Sequence, residues 1–421
     1  MTLAIILFIL TYIFIFIFSD HKHIVSLISA LLFIIFGLLP VREIIPSIDF
    51  NVLLMILGTM GTVNLFIDSK MPNKISDYII NVSPNVKWMS TLLAITSAVV
   101  SAFIDNVATV LMIAPVALAI SKKLKISPVP SLIAISIFSN LEGAATLVGD
   151  TTSILLAGAA KMNFLDFFFY KGKIGLFFII QIGTLFSALF LLYKFRKDRK
   201  RITSENKTIV KDKFPTYMLS LTIISLILAS FIPNKPALTN GIICISFYLI
   251  GLCRDLIRDK DIRIIKNQLM IIDYQTLLLL TGLFIVIGGI KYMGVIDALS
   301  NVFYNSSSNV FVLYTILVFF SCIISAFIDN IPYVATMLPV VSALSIKLGI
   351  DPTILYYGLI IGATLGGNLT PVGASANIAS IGILNKNGYK VSLKEYLSYS
   401  VPITLIAVLS GYVIVIFEFI I

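Results

Sequence analysis

Charged residues are scarce in this sequence: Asp, Glu, Lys and Arg together make up 12% of 421 residues, against ~25% in a typical globular domain. Apolar residues make up 58%, and the mean hydropathy is +1.01. So few charges cannot cover a folded chain in water, whereas lipid can surround apolar faces. The composition therefore predicts a multi-pass protein of the cell membrane. It excludes a secreted domain, a disordered chain and a nucleic-acid binder.

Cysteine and nucleotide-binding motifs are also scarce or missing. Cys244, Cys253 and Cys322 are the three cysteines of the chain, and their spacing suits neither a metal site nor a disulfide framework. No Gly-x-x-x-x-Gly-Lys-Ser/Thr loop occurs, so an ATP pump within this chain lacks support. Val148-Gly149-Asp150 is close to the Gly-x-Gly-Asp motif of intramembrane aspartyl proteases, but Leu stands where its first Gly belongs. We therefore expect neither an enzyme nor an organic cofactor.

What the sequence does contain is an internal repeat. Residues 101–106, Ser-Ala-Phe-Ile-Asp-Asn, recur unchanged as residues 325–330, an offset of 224. The same offset without gaps aligns further polar and small residues: Asp49 with Asp273, Gly58 with Gly282, Pro115 with Pro339, Gly143 with Gly367, and Gly149 with Gly373. Low complexity explains Leu aligned with Leu, but not matched Asp, Asn, Gly and Pro. The register therefore predicts two copies of one structural unit.

Most apolar runs are long enough to span a membrane, which takes ~20 residues. These runs are 2–18, 24–40, 50–68, 173–193, 216–232, 237–252, 270–290 and 397–418. Two repeated segments differ from them. The run from Val107 to Ile120 is short, which fits one arm of a re-entrant hairpin. Residues 129–160 are interrupted by Gly149-Asp150-Thr151-Thr152, which predicts a broken helix lining a cavity.

These segments give an all-α domain organisation in five parts. N-terminal helices occupy 1–47, repeat 1 occupies 48–193, a basic linker 194–215, connecting helices 216–269, and repeat 2 270–421. The hairpins are predicted at about 88–120 and 310–345, and the broken helices at about 129–160 and 352–384. Five crossings separate position 48 from its copy at 272. Since five is odd, the second copy is inverted in the membrane.

The distribution of basic residues agrees with this inverted topology. The segments predicted to be cytoplasmic, which include Lys22, hold 24 of the Lys and Arg residues, and the other side holds 7. This bias obeys the positive-inside rule and places both termini outside. The linker 194–215 is interpreted as a solvated cytoplasmic segment, with a docking site for a cytosolic partner or anionic lipid as the alternative.

Inverted repeats with hairpins and broken helices are typical of secondary transporters. Asp105-Asn106 and Asp329-Asn330 lie at the predicted hairpin turns. Helix capping explains such residues in part, but it does not explain a carboxylate inside a membrane, which costs several kcal/mol. Ser101 and Ser325 lie four residues earlier on the same helical face. We therefore expect these six residues to bind Na⁺ or protons, with Gly149 and Gly373 allowing the backbone to approach the ion.

The two copies also differ in their acids. Glu142 and Asp150 align with Gly366 and Ala374, so the first copy carries two additional carboxylates. Asp150 is predicted to be linked to protons, while Glu142 is either a second proton-coupling group or a structural acid bonded to Asn140. Further polar capacity is expected from Asn368 and Asn377. No Lys or Arg stands at these positions, so the site is expected to favour cations, protons or neutral polar solutes.

Two segments resemble the ion transporter superfamily, which includes arsenite permeases, the melanosomal P protein, citrate–metal symporters and some sodium–proton antiporters. One is the segment that begins Ser-Ala-Phe-Ile-Asp-Asn at Ser101. The other is Gly-Gly-Asn-Leu-Thr-Pro-Val-Gly-Ala-Ser-Ala-Asn over residues 366–377. The distantly similar divalent anion–sodium symporters carry Ser-Asn-Thr at both hairpin tips instead. The resemblance implies a homodimeric elevator-type carrier with two mirrored ion sites.

The leading hypothesis is a secondary carrier that exports a small inorganic ion or oxyacid, with arsenite as the first candidate, driven by protons or sodium. Sodium–proton exchange and citrate-type symport are the alternatives. A cytosolic ATPase partner and an uncoupled channel stay open on the sequence alone.

Overall fold

The computed structural model of the chain describes residues 1–202, 208–210, 212–260, 263, 268 and 270–419. This part is almost wholly helical. Its main helices are α1 (Thr2–Ile17), α2 (Lys22–Ile35), α3 (Val41–Ser47), α4 (Phe50–Asp68), α5 (Met71–Val82), α6 (Val86–Ser101), α7 (Asn106–Lys123), α8 (Val129–Gly143), α9 (Thr151–Ala160), α10 (Leu176–Lys194), α11 (Phe214–Ser230), α12 (Thr239–Asp259), α13 (Tyr274–Tyr292), α14 (Val295–Ser306), α15 (Val310–Ser325), α16 (Asn330–Leu348), α17 (Thr353–Ile360), α18 (Ser375–Lys386) and α19 (Leu393–Phe419). A short antiparallel ribbon, β1 (Phe169–Tyr170) with β2 (Lys173–Ile174), connects α9 to α10.

Within the described part, seven helices are long and apolar enough to cross a membrane, and an eighth span exists if α14 and α15, bent by 117°, count together. The seven are α4, α7, α10, α12, α13, α16 and α19. The predicted class, an all-helical integral membrane protein, is therefore confirmed.

Two helical hairpins turn at the repeated Asp-Asn pairs. Hairpin 1 consists of α6 and α7 joined by residues 102–105, and hairpin 2 consists of α15 and α16 joined by residues 326–329. The second arm of hairpin 1 has 18 residues and is longer than the 14-residue arm predicted from Val107 to Ile120. Lys122 and Lys123 form its last turn, where positive charge interacts favourably with the helix dipole, so they do not end the helix.

Two further helices are interrupted within their length. Broken helix 1 consists of α8 and α9, separated by residues 144–150. Broken helix 2 consists of α17, a π-helical turn over Ile361–Leu365, a 3₁₀ turn over Gly367–Leu369, and then α18. The matched glycines of the repeat lie in or directly beside each interruption: Gly143 ends α8 and Gly149 lies in the first break, while Gly367 and Gly373 lie in the second. Non-helical backbone at this depth is stable only where its polar groups find partners inside the protein.

The equivalent helices α4 and α13 run in opposite directions. Met60 and Asn64, in the second half of α4, line one cavity with Thr276 at the start of α13. Conversely, Gly288 in the second half of α13 lines another cavity with Val52 at the start of α4. The two copies are therefore inverted with respect to each other, as the odd number of crossings predicts.

Each of these helices packs closely along a helix of the pair that precedes the other repeat. A Cβ atom on Gly58 of α4 would lie 2.3 Å from the carbonyl carbon of Cys244 in α12. At the equivalent position, a Cβ on Gly282 of α13 would lie 2.7 Å from the carbonyl carbon of Ser26 in α2. Small residues at both crossings let the backbones touch, which is the usual way helices pack in lipid.

The N-terminal helices are shorter than the sequence predicts. A span over 24–40 is wrong, because α2 ends at Ile35 and Gly37 follows with φ = +66°, a left-handed conformation that terminates helices. With 16 and 14 residues, α1 and α2 are ~24 and ~21 Å long, less than the ~30 Å hydrocarbon core. Lys22 is the first residue of α2, directly after the turn that joins the two helices.

The first part of the basic linker packs on hairpin 1. The backbone N–H of Val86 donates to the carbonyl of Lys200 at 3.0 Å, and that of Lys87 donates to the carbonyl of Asp198 at 2.8 Å. Farther along, Asp212 accepts from Arg254 and Arg258 of α12. Residues 203–207 and 211 of the predicted linker, and several residues of the basic loop 254–266, lie outside the described residues.

The α4–α12 crossing makes a prediction about stability. Replacing Gly58 with Ala should destabilise the protein by about 1–3 kcal/mol, because the added methyl group overlaps the backbone of α12. Gly382→Ala in α18 is the matched control, since no atom lies within 4 Å of its added Cβ. This control should be neutral or slightly stabilising, as Ala is the better helix former. The midpoints of thermal unfolding in detergent decide the matter, and equal midpoints for the two variants would contradict the packing.

Candidate functional site

The tip of each hairpin is bonded to the break of the helix in its own repeat. The hydroxyl of Thr146, in the first break, donates to the carbonyl of Ala102 at the tip of hairpin 1. The hydroxyl of Thr370, in the second break, donates to the carbonyl of Ala326 at the tip of hairpin 2. These bonds satisfy carbonyl groups that helix ends leave without an intrahelical partner. The same chemistry therefore builds both halves of the site.

Glycine lets each break approach its hairpin tip. A Cβ on Gly149 would lie 2.9 Å from the carbonyl oxygens of Ser101 and Ala102. A Cβ on Gly373 would lie 2.6 Å from the carbonyl oxygen of Ser325 and 2.8 Å from that of Ala326. Since real Cβ atoms essentially never come so close, a larger residue would push the break away from the tip. Backbone carbonyls are thereby gathered at both predicted ion sites.

Ser101 and Ser325 carry hydroxyl groups without partners. Both side chains are fully buried, and neither Oγ has a hydrogen-bond partner among the described residues. A buried hydroxyl that is left unsatisfied costs ~1–3 kcal/mol. Two such groups at equivalent positions, each beside converging carbonyls and a carboxylate, fit oxygen ligands for a small hard cation.

The hairpin-tip aspartates cap the helices that follow them. Asp105 accepts from the backbone N–H of Ala108 at 3.0 Å, and Asp329 accepts from that of Ile331 at 3.1 Å. Asp150 caps α9 in the same way, accepting from Thr151 at 2.7 Å and from the hydroxyl of Thr152 at 3.1 Å. Each cap occupies one carboxylate face and leaves further lone pairs for a ligand.

Two cavities related by the repeat lie on opposite sides of the hairpin tips. The smaller, of about 370 Å³, contains the candidate chemistry. Its polar lining consists of Lys22, Asn64, Asp105, Asn106, Asp150, Thr151, Asp273, Gln275, Thr276, Asn330 and Ser375. It lies where α4 ends and α13 begins, on the predicted cytoplasmic side. The larger cavity, of about 630 Å³, is lined by Glu43, Asp49 and Lys291 and by no hairpin-tip acid.

Lys22 corrects the expectation that the site has no basic partner. Its Nζ forms an ion pair with the carboxylate of Asp329, and the side chains of both residues are 18% exposed. Removing either partner would leave the other charge uncompensated, which costs ~3–5 kcal/mol for a buried pair. The sequence missed this contact because 307 residues separate the partners. The sequence pattern around Lys22 carries no signal of this contact.

A second contact holds hairpin 2 against α1. The phenol of Tyr12 donates to the carbonyl of Pro332 at 2.6 Å, and it also contacts the hydroxyl of Thr336. Together with Lys22, it closes hairpin 2 against the N-terminal helices. Asp105 of hairpin 1 instead lines the smaller cavity. The site is therefore approached from one side, the side of the smaller cavity.

The two repeats meet at residues that occupy equivalent positions. Asn140 in α8 aligns with Thr364 in broken helix 2, and the Asn140 amide donates to the Thr364 carbonyl at 2.8 Å. The same Asn140 accepts from Asn106 at 3.0 Å. Across the site, Asn330 donates to Asp150 at 3.5 Å. These bonds bring Asn106, Asn330 and Asp150 from both repeats into one polar cluster.

Other predicted site residues lie away from the cavity. Glu142 is buried and accepts from Gln181 of α10 at 2.6 Å, so the expected bond to Asn140 is wrong. Asn140 lies two residues away on a helix, on a different face. Asn368 donates to the carbonyl of Ile137 and accepts from Asn377, each at 3.1 Å. These asparagines hold the broken backbone together and do not line the cavity.

The arrangement supplies oxygen ligands but no ready-made divalent-metal centre. Each tip offers carbonyls, one serine hydroxyl and one aspartate, a set that suits Na⁺ or a proton. In the described part of the chain, no three His, Cys, Asp or Glu residues come together as a metal site. A divalent metal would therefore need additional ligands from a substrate.

Comparisons with known proteins agree with this architecture. Residues 5–362 match a protein family described as "Citrate transporter". The chain is 33% identical over 324 residues to the "46 kDa membrane protein" of Mycobacterium leprae, covering 75% of this chain and 74% of the relative. An uncharacterised transporter of Synechocystis is 27% identical over 412 residues, covering 91% and 90%.

Two further similarities extend the comparison. The human P protein is 26% identical over 450 residues, which covers 88% of this chain but 53% of that protein. Among solved structures, the YdaH transporter of Alcanivorax borkumensis superimposes with a TM-score of 0.59 at 13% identity, covering 89% of this chain and 86% of the other. At this identity the similarity concerns the fold alone.

The unpartnered serine predicts a ligand role that can be separated from stability. Replacing Ser101 with Ala should leave stability nearly unchanged but lower the affinity for the bound cation ~5–20-fold, because one oxygen ligand of ~1–2 kcal/mol is lost. Ser97→Ala is the control one turn earlier, where the hydroxyl bonds to the carbonyls of Ala94 and Ile135. This control should lose ~1 kcal/mol of stability and keep its affinity. Na⁺-dependent thermal stabilisation of the purified protein measures both effects, and unchanged affinity in Ser101→Ala would remove the serine from the site.

Proposed function

Because the chain belongs to the citrate transporter family of membrane transporters, we propose that it is a secondary carrier for a small inorganic ion or oxyacid, with arsenite export as the first candidate, coupled to protons or sodium. The observation that carries this proposal is the charge of the smaller cavity. Asp105, Asp150 and Asp273 line it, and its single ammonium group in the described part, on Lys22, is already paired with Asp329.

Such a cavity discriminates by charge. A free polyanion would meet three carboxylates and an ammonium group that is already neutralised, so its entry is opposed. An uncharged oxyacid such as arsenous acid carries hydroxyl groups that donate to carboxylates and accept from amides. Asn64, Asn106 and Gln275 supply such amide groups along the cavity. The chemistry of the lining therefore supports a neutral hydroxylated solute.

The second candidate is a carboxylate carried as its complex with a divalent metal, favoured by the description of the family. Asp105 and Asp150 line the same cavity and could contact a metal that already holds carboxylate ligands from the substrate. Hard cations such as Mg²⁺ prefer this kind of oxygen ligand. The complex would enter as a species less negative than the free carboxylate.

The transport cycle that we propose uses the repeat symmetry. The hairpins pack on the broken helices as one group, through the bonds from Thr146 and Thr370. The pairs α2–α13 and α4–α12 form a second group. Movement of the first group against the second would exchange access between the two mirrored cavities, as in an elevator carrier. The homodimer stays an expectation from the family resemblance, and a cytosolic ATPase partner stays an open alternative.

Transport by liposomes that contain the purified protein tests the substrate. A pH dye inside the vesicles reports proton movement after addition of arsenite, of citrate with or without Mg²⁺, or of a sodium gradient alone. We expect arsenite to move protons. A response to citrate only with Mg²⁺ would favour the metal complex instead, and a response to the sodium gradient alone would indicate sodium–proton exchange. Silence with arsenite and metal–citrate would contradict both candidate substrates.

Neutralising Asp105 should abolish coupled transport while the protein stays folded. Asp105→Asn keeps a helix cap but loses the charge that holds the cation, worth ~1.5–3 kcal/mol or ~10–100-fold in affinity. Glu395→Gln, in the first turn of α19 and away from the cavity, is the control that also removes one negative charge. Uptake assays in liposomes compare the two. Coupled transport at the wild-type rate by Asp105→Asn would remove this residue from the cation site.

Asp150 is proposed to carry the proton. In Asp150→Asn, the cap on α9 is retained but no proton can be bound or released, so transport should no longer respond to an imposed pH gradient. The rate measured at a series of internal pH values gives the profile. We expect a steep profile for the wild type and a flat one for Asp150→Asn, and equal profiles for the two proteins would exclude Asp150 as the coupling group.

A further inference from the structure

The two mirrored ion sites differ in charge although their backbones match. Asp329 is paired with Lys22, whereas Asp105 forms no ion pair with any residue that the structure describes. The turn equivalent to the one beside Lys22 lies between α11 and α12, and it also contains a lysine. That residue, Lys235, donates instead to Asn240 at 2.9 Å. The ion pair with a lysine is therefore specific to the Asp329 site and is not repeated at Asp105.

We propose that the ammonium group of Lys22 is the built-in cation of the Asp329 site. The chain itself then fills one of the two mirrored sites, and Asp105 is left as the site of the exchangeable cation. This inference rests on the proposed cation coupling, because it concerns how many coupling cations the carrier binds.

The surroundings of the pair support this role. Ser325, beside Asp329, keeps a buried hydroxyl without a described partner, so the oxygen ligands of the second site are built like those of the first. An ammonium group carries the same charge as Na⁺ and presents three N–H donors to such oxygens. Since it is attached to the protein, its local concentration at Asp329 is high in the conformation that the structure shows. A dissolved cation must therefore displace it to reach the carboxylate.

The charged groups around Lys22 leave Asp329 without another cation as a partner. Lys22 begins α2, which packs on α13, whereas Asp329 belongs to hairpin 2. The other charged groups that share the cavity with Lys22 are Asp273 on α13, Asp105 on hairpin 1 and Asp150 in the first break. All three are acids. The ammonium group therefore has no competing cation nearby and remains the positive partner of hairpin 2.

Replacing Lys22 should create a second site for an exchangeable cation. The experiment measures cation binding to the purified full-length protein in detergent, so it needs no transported substrate. Thermal midpoints are recorded over a range of Na⁺ concentrations at constant ionic strength with choline, and proton uptake is titrated in parallel. The variants are Lys22→Met, Lys22→Arg as the control that keeps the charge, and Lys22→Met combined with Asp329→Asn.

For Lys22→Met we expect the slope of the stabilisation free energy against the natural logarithm of the Na⁺ concentration, measured above the dissociation constants, to rise from about RT to about 2RT, because each occupied site contributes about one RT. If a proton fills the site, we expect uptake of one additional proton per chain instead. Lys22→Arg and the double variant should both bind the same number of Na⁺ ions and protons per chain as the wild type. A Lys22→Met variant that binds the same number of Na⁺ ions and protons as the wild type would overturn the proposal.

Chemical restoration of the charge is a second, independent test of the same role. Lys22→Cys, in a background with the exposed Cys253 replaced by Ala, is treated with aminoethyl methanethiosulfonate, which adds a primary ammonium group to the thiol. The untreated variant should bind one additional cation per chain, and the treated variant should not. An equal number of bound cations in both would contradict the role of Lys22. Asp105→Asn in the same assay separates the two hypotheses. A wild-type cation response from that variant would remove the proposed coupling site and leave the comparison at Lys22 unaffected.

Discussion

Helix ends inside a membrane must find partners for their free N–H and C=O groups, and the rest of this structure depends on that constraint. Four such interruptions occur here, two at hairpin tips and two in broken helices. Each tip meets a break: threonine hydroxyls satisfy tip carbonyls, and aspartates satisfy the first N–H groups of the returning helices. Once these partners are in place, the hydroxyl groups of Ser101 and Ser325 stay without partners among the described residues. The proposed ion sites therefore use oxygen groups that the backbone does not need.

Because the second copy is inverted, equivalent positions of the two copies line two cavities on opposite sides. Since α4 and α13 run in opposite directions, the positions that line the cavity on one side recur on the other. Close contacts at Gly58 and Gly282 join each of these helices to its neighbour along its length. A structure built in this way has two equivalent paths to one central region. Contacts from Tyr12 and Lys22 to hairpin 2 then decide which path is closed.

The repeat and its polar residues could be predicted because polar residues are conspicuous in apolar sequence. Asp105, Asp329 and Gly149 indicate the hairpin tips and a break from the sequence alone, and the helix bounds in the structure lie close to those expected. The sequence places the end of α2 too late, because the apolar run continues beyond Ile35 although the left-handed backbone of Gly37 ends the helix. Glu142 and Lys22 required knowledge of which helix faces which: Glu142 faces α10, and Lys22 meets a residue that is 307 positions away. Pattern within a segment does not contain that information.

Symmetry of the backbone also explains why the substrate cannot be read from the fold. The inverted repeat makes the two sites equal in carbonyls, serines and aspartates, so any electrical difference comes from side chains outside the repeat pattern. Asp150, where the second copy has Ala374, adds a carboxylate beside Asp105, and Lys22 removes a charge from Asp329. Asp150 makes one site more negative, and Lys22 makes the other site less negative. We therefore expect the charge of the transported species to depend on these few side chains more than on the backbone that the two copies share.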